Sequence, residues 1–89
     1  MSIYVVRACR AKKGKAGDVQ SLLKKAADGQ SGIFVYQSMG DSHDFGVFAE
    51  FANEDAARKF AASSAQQDVT GKLASMVEDA TAITVWKQV

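Results

Sequence analysis

A single cysteine, a single histidine and a net charge of +1 set the first limits on this chain of 89 residues. One cysteine, Cys9, forms no internal disulfide, so a reducing cytoplasm is the simplest setting. It sits in an apolar strand, where a free cysteine behaves as a small hydrophobe. With no Cys/His cluster, neither a structural zinc nor a catalytic metal triad is available within one chain, and no cofactor is expected. The nearly balanced, interspersed charge leaves no electrostatic footprint for nucleic acid. The basic stretches "RACRAKKGK" and "LLKK" read as solvated faces and strand ends. No apolar run approaches a membrane span, and "MSIYVVRACR" lacks the shape of a signal peptide. A soluble, cytoplasmic protein without a membrane partner is expected.

What the chain does have is ordinary globular usage, 47% hydrophobic and 24% charged, which argues against disorder. Residues 1–89 make one domain. A domain this small buries a lower share of its surface than a larger one, so oligomerisation would help it.

Residues Ile3 to Ala11 read as a strand. "KKGKAGD" breaks it with two glycines and delivers Asp18 as a helix N-cap. Val19, Leu22, Leu23, Ala26 and Ala27 then fall on one helical stripe, and Gly29 closes the helix at C′. "GIFVYQSM" is a second strand, "GDSHD" a turn and "FGVFAEFA" a third strand, so the last two strands form a hairpin. Asn53 caps a second helix, with Glu54 and Asp55 in its first turn and Ala56, Ala57, Phe60 and Ala61 at helical spacing. "SSAQQD" reads as a break. Val69, Leu73, Met76 and Val77 form the stripe of a short third helix, and "AITVWKQV" is the closing strand. This order, β-α-β-β-α-(α)-β, is the ferredoxin-like α+β arrangement: an antiparallel sheet with helices on one face.

Alternation within the strands separates two faces. Ile3, Val5, Cys9, Ile33, Val35, Met39, Phe45, Val47, Ala49, Phe51, Ile83 and Val85 form an aliphatic floor for the helices. Tyr4, Val6, Arg10, Phe34, Tyr36, Ser38, Phe48, Glu50, Thr84 and Trp86 fall on the other side. An uncovered antiparallel face should be mainly polar, yet this one carries five aromatics. Such a patch marks a binding surface, and a second copy of the same sheet in a two-fold homodimer is the simplest cover. Arg7, Gln37 and Lys87 fall awkwardly on the aliphatic side. Gln37 and Lys87 lie near strand ends, whereas Arg7 is mid-strand, where a bulge or register change is expected.

"VVRACRAKKGK" leading into the first helix, "SGIFVYQS", "VFAEFANEDAARKFAASSAQQDVTGKL" and "AITVWKQV" together resemble the dimeric α+β barrel superfamily, particularly its antibiotic-biosynthesis-monooxygenase-like small proteins. The resemblance covers nearly the whole chain, and the third helix followed by "VEDATAITVW" is also similar to the stress-responsive α/β barrels. It implies two sheets closing a barrel, with a hydrophobic pocket in each subunit. It also implies oxygenation of a phenol or quinol without metal, flavin or haem. The substrate would lose its phenolic proton, pass an electron to oxygen and recombine with it, while the protein supplies a dry slot and stabilises negative charge. Relatives often carry tryptophan where Phe51 stands, and histidines where Phe60 and Gln66 stand. A haem-degrading relative would need the helix histidine as axial ligand.

Glu50, a carboxylate in mid-strand on an aromatic face, is either a structural partner of Arg10 or of a residue across the dimer. Alternatively it is a general base of raised pKa taking a phenolic proton. His43 is either an exposed turn residue or a catalytic group reaching the partner's pocket. Tyr4, Arg10, Phe34, Tyr36, Phe48 and Trp86 are the candidate lining of a pocket for a small aromatic ligand. Packing of the barrel explains the aromatics as well. Arg7 or Arg10 either steadies an anion or is a strand-end cation. Two other functions stay open: a non-catalytic small-ligand-binding or assembly protein, and an isomerase- or decarboxylase-like member of the same superfamily.

Overall fold

In the computed structural model, residues 2–79 and 82–89 are described. Ala80 and Thr81 of the "VEDATAITVW" stretch lie outside them. The elements run β1 (Ile3–Arg10), α1 (Ala16–Ala27), β2 (Ile33–Gln37), β3 (Asp44–Phe51), α2 (Glu54–Ala61), α3 (Ser64–Leu73) and β4 (Ala82–Lys87). The strands form one antiparallel sheet in the order β2-β3-β1-β4, the ferredoxin-like arrangement expected from the sequence.

Strand period and helix period meet on one side of this sheet. Cys9, Phe45, Val19, Leu23, Leu73 and Val77 form one buried cluster with Ala11. Ile3, Val5, Ala49 and Ala57 form a second, flanked by Ile33, Phe51, Phe60, Ile83 and Val85. Leu73 and Val19 have no exposed surface; full burial of such a side chain stabilises the fold by roughly 1.5–3 kcal/mol. Among the described residues, no helix covers the opposite face.

Several boundaries depart from the pattern, each for a local reason. Helix α1 begins at Ala16 rather than after Asp18, with Lys15 at the cap and no side-chain cap bond. A turn closed by Lys15 N donating to Lys12 O at 2.9 Å starts the helix earlier, leaving Asp18 in its first turn near Lys15. Gly29 does stand one residue past the cap, with a φ of 74° that a side chain rarely adopts. Strand β2 stops at Gln37, because Ser38 Oγ accepts from the backbone N–H groups of Gly40 and Asp41 and turns the chain. Met39 therefore belongs to the exposed turn and not to the helix-facing floor.

The break expected at "SSAQQD" lies at Ala62 and Ser63, and the rest of that stretch is already the first part of α3. Ser63 caps that helix by accepting from Gln66 N at 3.3 Å. Met76 and Val77 lie beyond its end, where Val77 makes an antiparallel bridge to Ala11. Asn53 caps α2 as expected, accepting from Ala56 N at 2.8 Å. Arg7 causes neither bulge nor register change. The β1–β3 ladder runs unbroken from Ile3↔Phe51 to Arg10↔Asp44, and Arg7 points among the helices.

Candidate functional site

The sheet's register assembles the outer face. Tyr4 lies between Glu50 and Trp86, Val6 between Phe48 and Thr84, and Phe34 opposite Phe48. Tyr36 meets Phe48 edge to face, ring centroids 5.5 Å apart, and stacks on Phe34 at 6.4 Å. Gly46 opposite Tyr36 leaves room for this: a Cβ there would come within 3.2 Å of the Phe48 ring. Phe34, Tyr36, Phe48 and Trp86 are 53, 55, 39 and 60% exposed, so this face is an apolar patch open to water. Tyr4, Phe34, Tyr36, Phe48 and Glu50 line an open depression of about 370 Å³ on it. Trp86 stands beside the depression, its Nε1 donating to Thr84 Oγ1 at 2.7 Å.

Two expectations about Glu50 are corrected. Its partner is Tyr4, whose hydroxyl donates to Oε2 at 3.2 Å, and not Arg10. Hydrogen bonds from Ser2 and then Tyr4 hold its carboxyl below the usual value rather than above it. Glu50 is exposed in the single chain, so desolvation raises its pKa by less than these two bonds lower it.

Arg10 stands at the other end of β1, away from the aromatics. Its Nη1 contacts Asp41 at 2.8 Å and Asp44 at 2.9 Å, and its Nε contacts Glu78 at 3.0 Å. Bonds to Asp41 and Asp44 raise its pKa further. The cluster ties the β2–β3 turn and the segment after α3 to β1. His43 belongs to that turn: its backbone N–H donates to Asp41 Oδ1 at 2.9 Å, and its carbonyl accepts from Ala11 N at 2.8 Å. Burial pushes the Cys9 thiol up, which suits packing and not nucleophilic attack. Among the described residues, no group of three His, Cys, Asp or Glu side chains is placed to hold a metal ion.

The sequence reading did not anticipate a polar seam on the inner face. Arg7, 4% exposed, stands on β1 between Val5 of one apolar cluster and Cys9 of the other. Its Nη2 donates to both the carbonyl oxygen and Oε1 of Gln66 at 3.3 Å. Desolvation lowers its pKa. A cavity of about 20 Å³, room for one water molecule, lies beside it between sheet and helices, lined also by Leu23, Ala26, Ile33, Val47, Phe60 and Val69. The available signal was Arg7 itself, a cation at an inward position of an unbroken strand.

No family model and no curated protein matches the chain. Solved structures do match along its whole length. A conserved protein from Methanosarcina mazei superposes with a TM-score of 0.81 at 18% identity, covering 100% of this chain and 94% of that one. A candidate antibiotic biosynthesis monooxygenase from Deinococcus radiodurans gives 0.79 at 17% identity, covering 98% and 92%. Another from Bordetella bronchiseptica gives 0.76 at 14% identity, covering 99% and 97%. The chain thus has the fold of antibiotic biosynthesis monooxygenase-like proteins, a ferredoxin-like α+β domain. Identities this low carry the fold and nothing finer.

Proposed function

We propose that the chain is one half of a homodimeric α+β barrel that oxygenates a phenolic or quinol-type aromatic without a cofactor. The observation that carries the assembly is the exposed aromatic face. Phe34, Tyr36, Phe48 and Trp86, open to water in one chain, are covered when a second sheet packs against them. Tyr4 and Glu50 on the same face then line the space between the sheets. The fold neighbours named as candidate monooxygenases support the reaction class.

The substrate's place in this reading is the depression lined by Tyr4, Phe34, Tyr36, Phe48 and Glu50, closed over by the partner's sheet. The chemistry resides largely in the substrate. An electron-rich phenol loses its proton, and the phenolate passes one electron to molecular oxygen. The aryloxyl radical and superoxide combine to a ring peroxide anion, which takes back the proton lost from the phenol and then loses water to leave a quinone. The protein's part is to exclude water, orient the ring and stabilise the phenolate.

A second reading, a non-catalytic binding or assembly protein, is favoured by two observations: the small size of the inner cavity and the lowered pKa of Glu50. Oxygen uptake with a panel of dihydroquinones and anthrones separates the two, with Glu50→Gln measured alongside. Uptake faster than the protein-free rate for at least one substrate supports the oxygenase. Uptake equal to that rate for every substrate leaves the assembly protein. Loss of uptake in Glu50→Gln gives that carboxylate a part in the reaction, and unchanged uptake confines it to structure.

A further inference from the structure

Charge is unevenly placed on the outer face of the sheet. Among the described strand residues, its charged side chains are Arg10, Asp44 and Glu50. Arg10 contacts Asp41, Asp44 and Glu78, so its charge is met at that end of β1. Glu50 lies across from Tyr4 at the other end of the strand, roughly 20 Å away. Its hydrogen bonds come from Ser2 and Tyr4, both neutral, and hold the carboxyl below its usual value, so it is ionised at neutral pH. Among the described residues no ion pair reaches it. The carboxylate is satisfied in hydrogen bonding but not in charge.

Aromatic rings complete the depression beside it. Tyr36 and Phe48 stand at 74° to each other, a corner rather than a flat floor, and Phe34 lies at 30° to Tyr36. The face of an aromatic ring is negative. Four rings and one carboxylate therefore border the same space of about 370 Å³, and no cationic side chain lines it. Small-molecule sites are of this size, about 300–1,000 Å³. A second copy packed two-fold on this face brings the same strand residues, whose one cation is equally engaged.

We infer that the depression binds a small organic ammonium ion, its charge beside Glu50 and its carbon body against the Tyr4, Phe34, Tyr36 and Phe48 rings. Cation–π attraction acts within about 6 Å of a ring centroid and strengthens as water is excluded, so closure by a second sheet reinforces it. The inference rests on that proposed closure and narrows the ligand of the same site. A phenol that carries an ammonium group fits, and one that carries a carboxylate does not. The ammonium also offsets the charge that the phenolic oxygen gains on losing its proton. Binding needs no reaction with oxygen.

The test is calorimetric titration of the full chain with cations and their neutral isosteres, with sedimentation run on the same samples. Choline is compared with 3,3-dimethylbutan-1-ol, and tyramine with 4-propylphenol; 3-(4-hydroxyphenyl)propanoate is the anionic control. At least one cation is expected to bind about tenfold more tightly than its isostere, and the anion more weakly than 4-propylphenol. Glu50→Gln and Tyr36→Leu are each expected to reduce the preference, the first by removing the charge and the second by removing a ring. Either variant serves if the other fails to fold. Arg10→Met, at the far end of the strand, is expected to leave the preference unchanged. Equal affinities within both pairs, or no binding of either cation, overturn the inference. So does an anion bound as tightly as its cationic counterpart, or a preference undiminished in both Glu50→Gln and Tyr36→Leu. A single-chain mass with the preference intact defeats the closure alone, and a two-chain mass without the preference defeats the ammonium site alone. Cation binding without oxygen uptake defeats only the oxygenase reading.

Discussion

Tyr4 and Glu50 face each other directly across the β1–β3 ladder, and the tyrosine hydroxyl donates to Glu50 Oε2 at 3.2 Å. This pair turns a carboxylate on an aromatic face into a satisfied acceptor, and together with Ser2 it lowers the Glu50 pKa. A lowered folded-state pKa contributes stability above the unfolded value of 4.5 and loses it as pH falls through the folded value. Glu50→Gln is therefore expected to have a lower Tm than wild type near neutrality, with the two curves converging under acid. Thermal melts across that range check it; a gap that widens toward acid contradicts the assignment.

The sole tryptophan, Trp86, is 60% exposed in one chain and lies on the face assigned to the partner. Its emission is expected to be blue-shifted at high protein concentration and to move to the red on dilution. Phe34→Asp, on the same face, should show the red-shifted emission at every concentration while keeping the far-ultraviolet signature of the folded domain. Emission of a water-exposed indole that does not change with concentration counts against a covered face.

Leu73 has no exposed surface and joins α3 to the cluster under β1 and α1. Leu73→Ala is expected to cost about 2–5 kcal/mol. In a domain of this length that lowers Tm by roughly 10 °C or more. A melt shifted by only a degree or two would mean that α3 is held elsewhere.

The carboxylates around Arg10 fasten two segments that share no strand ladder: the turn before β3 and the chain after α3. Arg10→Met is expected to accelerate amide exchange at Ala11 and Glu78, whose N–H groups donate to His43 O and Arg10 O. Asp41, held low first by the His43 N–H and then by Arg10, should titrate closer to the ordinary aspartate value in that variant. Exchange rates and an Asp41 titration unchanged from wild type would show that the backbone alone holds these segments.

Strand alternation was enough to sort the two faces of the sheet. Ile3, Val5, Cys9, Phe45 and Ala49 are all buried, while Phe34, Tyr36, Phe48 and Trp86 all look outward. Local hydrogen bonds set the ends of elements, and these were less legible. Ser38 and Ser63 are both turn-formers by type, but Ser38 ends a strand and Ser63 begins a helix, which only the neighbouring backbone decides. The site was the least legible part. Arg7 and Gln66 are 59 positions apart, and no periodicity announces that a long cation on β1 will meet the first turn of α3. Glu50 was legible as an unusual residue, but its partner was not, because strand register and not charge chose Tyr4 over Arg10.

The two-fold barrel is tested most directly by sedimentation equilibrium of the wild-type chain at micromolar concentration. A mass twice the 9.5 kDa of one chain is expected, falling to the single-chain value in Phe34→Asp. A wild-type mass of one chain, steady across the concentration range, would contradict the aromatic face as a dimer surface and remove the basis for the barrel.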